Sequence, residues 1–185
     1  HDFYKEVSHG QFLAKSDVSE WMTSSNNHDY YGYNNGYDRV RELIRNAVDE
    51  IESTGFDWSK YDNDGDGYVD ALNVIHQGAG AEEGLETNIW SHKWSLGNLS
   101  VSYDGVTISS YTINPEIQNG NIVAIGVLAH EFGHALGLPD LYDTDYSSTG
   151  SGKLALMASG SWGTVGNTPW YPATMIGWGK AQLGW

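Results

Sequence analysis

Apolar residues at three- and four-residue spacing single out one stretch of this chain. Val40, Leu43, Ile44, Ala47, Val48 and Ile51 share one helical face, and Gly55 marks the end. The other face carries Arg39, Arg41, Glu42, Arg45, Asp49 and Glu50, which predicts an amphipathic helix packed on a sheet. Residues 121–136 are apolar nearly all round at their start and predict a second, buried helix stopped by Gly137. Residues 71–77 read as a strand. Leu99, Val101 and Tyr103, then Asp104-Gly105, then Val106 and Ile108 form a strong hairpin signal. A further strand is expected around Gln11–Ala14, a long polar loop over 23–37, and a last helix within 172–183 that Gly177 and Gly179 weaken. Residues 138–172 show little periodicity.

Composition narrows the class. The 185 residues are ample for one self-sufficient core. There are 24 acidic and 9 basic residues, a formal net charge of −15, and no Lys/Arg stripe to meet phosphates. Nucleic-acid and anionic-membrane partners are therefore not expected. With aromatics at 13% and charged residues at 18%, the chain is not polar enough for disorder. Cysteine is absent, which removes disulfides, thiolate nucleophiles and Cys-type metal sites. The longest apolar run, Ile122 to Ala129, is far short of a membrane span and contains Gly126. His1-Asp2 and the polar residues after it do not read as a secretory leader, so a soluble chain is expected, either mature or excised.

The candidate chemistry starts in the buried helix. His130-Glu131-Phe132-Gly133-His134 puts two imidazoles four residues apart on one face, suited to one zinc ion. Glu131 follows the first His and can reach a water at the metal, taking its proton as the water attacks a carbonyl. The plain alternative is a pair of helix histidines satisfied by other bonds, but such side chains on an apolar, buried helix are costly without partners. Zinc needs a third protein ligand and an open position. No His or Glu follows His134, and the downstream carboxylates are Asp140, Asp143 and Asp145. Gly137 lets the chain leave the helix sharply and Pro139 stiffens its return, so Asp140 is best placed to swing back.

The stretch from His130 to Asp143, HEFGHALGLPDLYD, resembles the active-site segment of the metzincin clan. It is most similar to the immune inhibitor A-type family of secreted bacterial metallopeptidases. That resemblance implies a methionine turn beneath the zinc, and Leu156-Met157-Ala158-Ser159-Gly160-Ser161-Trp162 is similar to it. Many metzincins carry a tyrosine two residues after this methionine; here the position is Ser159. The ending from Gly177 to Trp185 also resembles the family's last helix. Secretion is implied by the same resemblance.

An Asp-rich loop is the second candidate. Residues 62–70 place Asp62, Asp64, Asp66 and Asp70 at positions 1, 3, 5 and 9 of a calcium loop, with Gly67 at position 6 and Tyr68 offering its backbone carbonyl. Position 12 is Asn73 rather than a bidentate Glu, and a strand follows rather than a helix. A surface Asp/Gly turn without an ion is the alternative, but four carboxylates so close repel each other without a cation. The family resemblance also implies calcium, here structural and weakly held. His76 and His92 are expected to be packed or surface residues, and Asp143 and Asp145 to belong to a polar turn.

The expectations are specific. The fold is α+β and metzincin-like, a twisted mixed sheet with backing and active-site helices plus an irregular C-terminal lobe. It is one catalytic domain, 1–185, with lobes 1–137 and 138–185. Residues 71–81 are the candidate edge strand, where an extended peptide could add to the sheet. The function is a zinc-dependent endopeptidase on polypeptide substrates, with His130, His134 and Asp140 on one zinc, Glu131 as general base, Met157 in the site floor and at least one calcium. A monomer is expected. A calcium-stabilised binding module without turnover, and a zinc hydrolase of non-peptide amides or esters, remain open.

Overall fold

The clearest periodicity in the chain becomes its longest helix. In the computed structural model, which describes residues 2–145 and 147–185, α2 spans Tyr37–Ser53. His1 and Tyr146 lie outside the described residues. Val40, Ile44 and Val48 form one fully buried stripe on α2. Each such side chain contributes about 1.5–3 kcal/mol of burial. Around that stripe packs a core of Tyr31, Trp58, Ile89, Leu96, Ile108, Tyr111 and Ile113. Gly55 ends the turn after the helix with a positive φ of 79°.

The main sheet is mixed. β1 (Asn73–Ala79) pairs in parallel with β5 (Ser110–Gln118), and β2 (His92–Ser95) pairs antiparallel with β5 on its other side. β6 (Asn121–Ile122) continues that side as a short hairpin partner. The strand order β1-β5-β2 leaves β1 at an edge, where the sequence places it. β3 (Val101–Tyr103) and β4 (Val106–Ile108) form the predicted hairpin as a separate two-stranded sheet. Asp104 and Gly105 turn it with φ of 51° and 85°, the two positive values a type I′ turn needs.

Several elements differ from expectation. No strand forms at Gln11–Ala14; a short helix, α1 (Asp2–Val7), precedes it, and Phe12 packs instead into an aromatic cluster with Tyr4, Phe132 and Trp185. Tertiary packing there overrides a weak local pattern. The central strand β5 runs on to Gln118 despite Pro115. That proline falls between the stretches paired with β2 and β6, and beside the register shift after His76, so its missing N–H interrupts little of the ladder. The buried helix, α3, is shorter than expected, Ile125–Ala135, because residues 121–122 are in β6. The last helix, α4, is only Gly177–Gln182.

The chain divides into two compact units, 1–18 with 124–185, and 19–123. The sheet, the hairpin and α2 form the second. α3 groups with the C-terminal segment, whereas the sequence reading set a boundary at 137/138. The first unit has its own core of Tyr4, Val7, Ala129, Leu138, Leu156, Met157 and Met175. No helix among the described residues is long and apolar enough to cross a membrane.

Candidate metal centre

α3 is built for close approach on one side. Gly126, Ala129 and Gly133 lie three and four apart and are all buried. A Cβ at Gly126 would sit 1.9 Å from the Ser161 carbonyl oxygen, and one at Gly133 would sit 2.4 Å from Met157 Sδ. The Tyr4 hydroxyl donates to the Ala129 carbonyl at 2.5 Å. Met157, 1% exposed, thus packs directly against the helix at Gly133, next to His134.

The helix stops in a Schellman arrangement. Gly137 takes φ of 93°, its N–H donates to His134 O at 3.0 Å, and Leu138 N–H donates to Gly133 O at 3.1 Å. The chain then reverses, and Leu141 N–H donates to Met157 O at 2.6 Å. This path returns Asp140 to the histidines. Its Oδ1 lies 3.1 Å from His130 Nε2 and 3.2 Å from His134 Nε2, and the two Nε2 atoms are 3.1 Å apart. The other predicted carboxylates stay away: Asp143 accepts from Ser147, Ser148 and Asp145 in a polar turn.

The tautomers follow from the partners. His130 Nδ1 lies 3.0 Å from Leu156 O, and His134 Nδ1 lies 2.7 Å from Leu138 O. A carbonyl only accepts, so each Nδ1 carries the proton and each Nε2 keeps a lone pair. Two lone pairs and a carboxylate oxygen then face one another, and Asp140 Oδ1 is buried without a donor. That is repulsive unless a cation or a shared proton lies between them. The separations suit a metal: tetrahedral bonds of about 2.0 Å put neighbouring ligand atoms about 3.3 Å apart. The residues present therefore fit one zinc-sized ion.

Without a metal, a proton taken up at an Nε2 relieves the same repulsion and lets the imidazole donate to Asp140. Burial pushes Asp140 up, but hydrogen bonding with His130 and His134 and the charge of His134 outweigh it, so the carboxyl is held well below its usual range. For His134 burial pushes down, but the bonds to Asp140 and the Leu138 carbonyl, with the charges of Asp140 and Glu131, raise it overall. Glu131 is buried on α3, one position after His130.

In the Asp-rich loop, Asp62, Asp64 and Asp70 each offer an oxygen within 4.8 Å of the others. Asp66 falls outside that group and turns Oδ1 to the Tyr68 N–H at 2.8 Å. Asp62 accepts from Asp66 N–H and Gly67 N–H, both at 3.0 Å, and Asp70 accepts from Asn63. Tyr68 bridges Thr107 of β4, and Thr107 N–H donates to Gly67 O, which pins the loop to the hairpin. His76 and His92 are buried. His76 Nδ1 meets Gln77 O and His28, and His92 bridges Trp90 O and the Tyr111 hydroxyl. Burial lowers both to about 4. Neither joins three metal-ligating side chains among the described residues.

Sequence reasoning missed the carbonyls of Leu138 and Leu156, which no side-chain pattern signals. It also missed the Tyr142 hydroxyl, which donates to Asp140 Oδ2 at 2.9 Å. The small residue at Gly133, inside the two-histidine motif, was a legible sign of close packing.

The family model "Immune inhibitor A peptidase M6, catalytic domain" matches residues 1–185. Immune inhibitor A of Bacillus thuringiensis subsp. alesti is 33% identical over 206 residues, covering 90% of this chain and 29% of that protein. Pre-pro-metalloprotease PrtV of Vibrio cholerae serotype O1 is 34% identical over 217 residues, covering 98% of this chain and 23% of that protein. The chain thus spans about a quarter of the length of these relatives.

Proposed function

The chain belongs to the immune inhibitor A peptidase M6 family of metallopeptidases, and from that premise we propose that it is a zinc-dependent endopeptidase domain acting on polypeptides. One observation carries the metal assignment: His130 Nε2, His134 Nε2 and Asp140 Oδ1 converge within 3.2 Å with no proton of their own to share. In this reading these three atoms hold zinc. When bound, the ion supplies Lewis acidity, polarising a carbonyl and lowering the pKa of water. Glu131 does the proton work. Its carboxylate takes the proton of the attacking water and returns it to the leaving amine. The Leu156 and Leu138 carbonyls fix the imidazole tautomers, so both Nε2 lone pairs stay aimed inward. Met157, held against Gly133, forms the floor and no more.

The fold in this reading is metzincin-like and the chain is one monomeric catalytic domain. Asp62, Asp64 and Asp70, with Asp66 and the Tyr68 carbonyl at the rim, hold a structural calcium. The complete protein works outside the cell, in keeping with the words "pre-pro" in one relative's name. The test is metal analysis of the purified chain paired with a peptide-library cleavage assay. We expect about one zinc per chain, cleavage abolished by a chelator, and recovery on adding zinc. A zinc-loaded chain that cleaves esters or non-peptide amides but no peptide would overturn the substrate class. A metal-free chain that cleaves peptides would overturn the mechanism.

A further inference from the structure

We propose that Tyr142 is a positioning residue: its hydroxyl engages Asp140 Oδ2 so that Oδ1 alone faces the metal. This rests on the reading of His130, His134 and Asp140 as zinc ligands. An aspartate can present one oxygen or both, and rotation about its Cβ–Cγ bond exchanges them. Here the two oxygens have different neighbours. Oδ1 is buried and faces both Nε2 atoms, at 3.1 and 3.2 Å. Oδ2 accepts the Tyr142 O–H at 2.9 Å. Turning the carboxylate would break that bond, so the hydroxyl biases it towards one-oxygen coordination. That leaves the rest of the metal's surface for water and substrate.

The chain puts Tyr142 there through its neighbour. Leu141 N–H donates to Met157 O at 2.6 Å and Leu141 O accepts from Ser151 N–H at 2.8 Å, so the backbone between Asp140 and Tyr142 is pinned on both sides. Tyr142 is itself 42% exposed, and its bond to Asp140 lies at the surface. Its hydroxyl therefore adds little to the stability of the fold, where an exposed bond exchanges readily with water. This separates a positioning role from a structural one.

The test compares wild type, Tyr142→Phe and Asp140→Ala, each stripped of metal and titrated with zinc against a chromophoric chelator. The same proteins are loaded with cobalt and their visible spectra recorded. Tyr142→Phe is expected to weaken zinc binding about tenfold or more, as loss of a partner to a ligand does. Its cobalt bands should lose intensity as the freed carboxylate adds a second oxygen. Its metal-free melting temperature should match wild type. The proposal is overturned if zinc affinity or the cobalt spectrum of Tyr142→Phe is that of wild type while Asp140→Ala loses zinc. It is overturned too if metal-free Tyr142→Phe melts lower, since the role is then structural. Wild-type zinc affinity in Asp140→Ala would instead sink the underlying ligand assignment.

Discussion

In the group of His130, His134 and Asp140, the three inward atoms face one another with no donor of their own. In the Asp-rich loop, every carboxylate already accepts an N–H from the loop itself. The first group is held by backbone carbonyls and a helix stop, and its repulsion is relieved only by a cation or a proton. The second satisfies much of its own charge through turn geometry and stands in water. Convergence of acidic side chains alone therefore says little about dependence on an ion; what their other atoms are bonded to says more.

The largest expected effect tests the chemistry of the first group. Glu131→Ala should lower kcat/KM by about 10²–10⁴-fold while the zinc content stays at the wild-type level. Turnover near wild type would remove Glu131 from its role as base.

The next test sets the two units against each other by pH, using protein stripped with a chelator. His76 and His92 are lowered to about 4 in the folded state, below the unfolded value of about 6.5. The unfolded chain then binds more protons between those values. Their unit should lose stability as pH falls from about 6.5 to about 4, by at most roughly 3 kcal/mol per histidine. His134 is raised, so its contribution is present below about 6.5 and is lost as pH rises through its folded value. Asp140 is lowered, so its contribution is present above about 4 and goes only in stronger acid. Hydrogen exchange at pH 5 and pH 8, corrected for intrinsic rates, should protect α3 better at the lower pH and α2 better at the higher. A common trend in both helices would break the contrast.

A smaller effect is expected at the floor. Gly133→Ala pushes a methyl into Met157 and should cost about 1–3 kcal/mol of stability, read from denaturant melts. Wild-type stability would mean that Met157 yields freely. The smallest effect belongs to the loop. Calcium added to chelated protein should raise the melting temperature, and Asp64→Ala should abolish that rise while changing calcium-free stability by no more than about 0.5 kcal/mol. No rise in wild type would remove calcium from the loop.

The sequence was most legible where one signal was both local and redundant. The stripe of α2, the Asp104-Gly105 turn and the path from Gly137 to Asp140 depend on near neighbours, and each is where its spacing puts it. Non-local facts were not legible. β5 was not read as an element of its own, and only its pairing with β1, β2 and β6 shows how a central strand accommodates Pro115. Phe12 looked like part of a strand because its partners Tyr4, Phe132 and Trp185 are distant in the chain. The carbonyls that orient the imidazoles are backbone groups, to which residue identity gives no clue. Of the acidic loop, sequence supplied the residues but not their hydrogen bonds, which turn Asp66 aside.

The sharp stop at Gly137 bears on the order of events in a refolding chain. All three donor atoms belong to residues 130–140, so bringing them together closes only a short loop, and the entropy of closure grows slowly with loop length. The supports come from further away: Tyr4 reaches Ala129 across 125 positions, and Leu156 reaches His130 across 26. Low contact order favours early formation. If these atoms hold the metal as proposed, a refolding chain given zinc is expected to gather its donors while α3 is still forming, and to add the floor and the distant tyrosine afterwards.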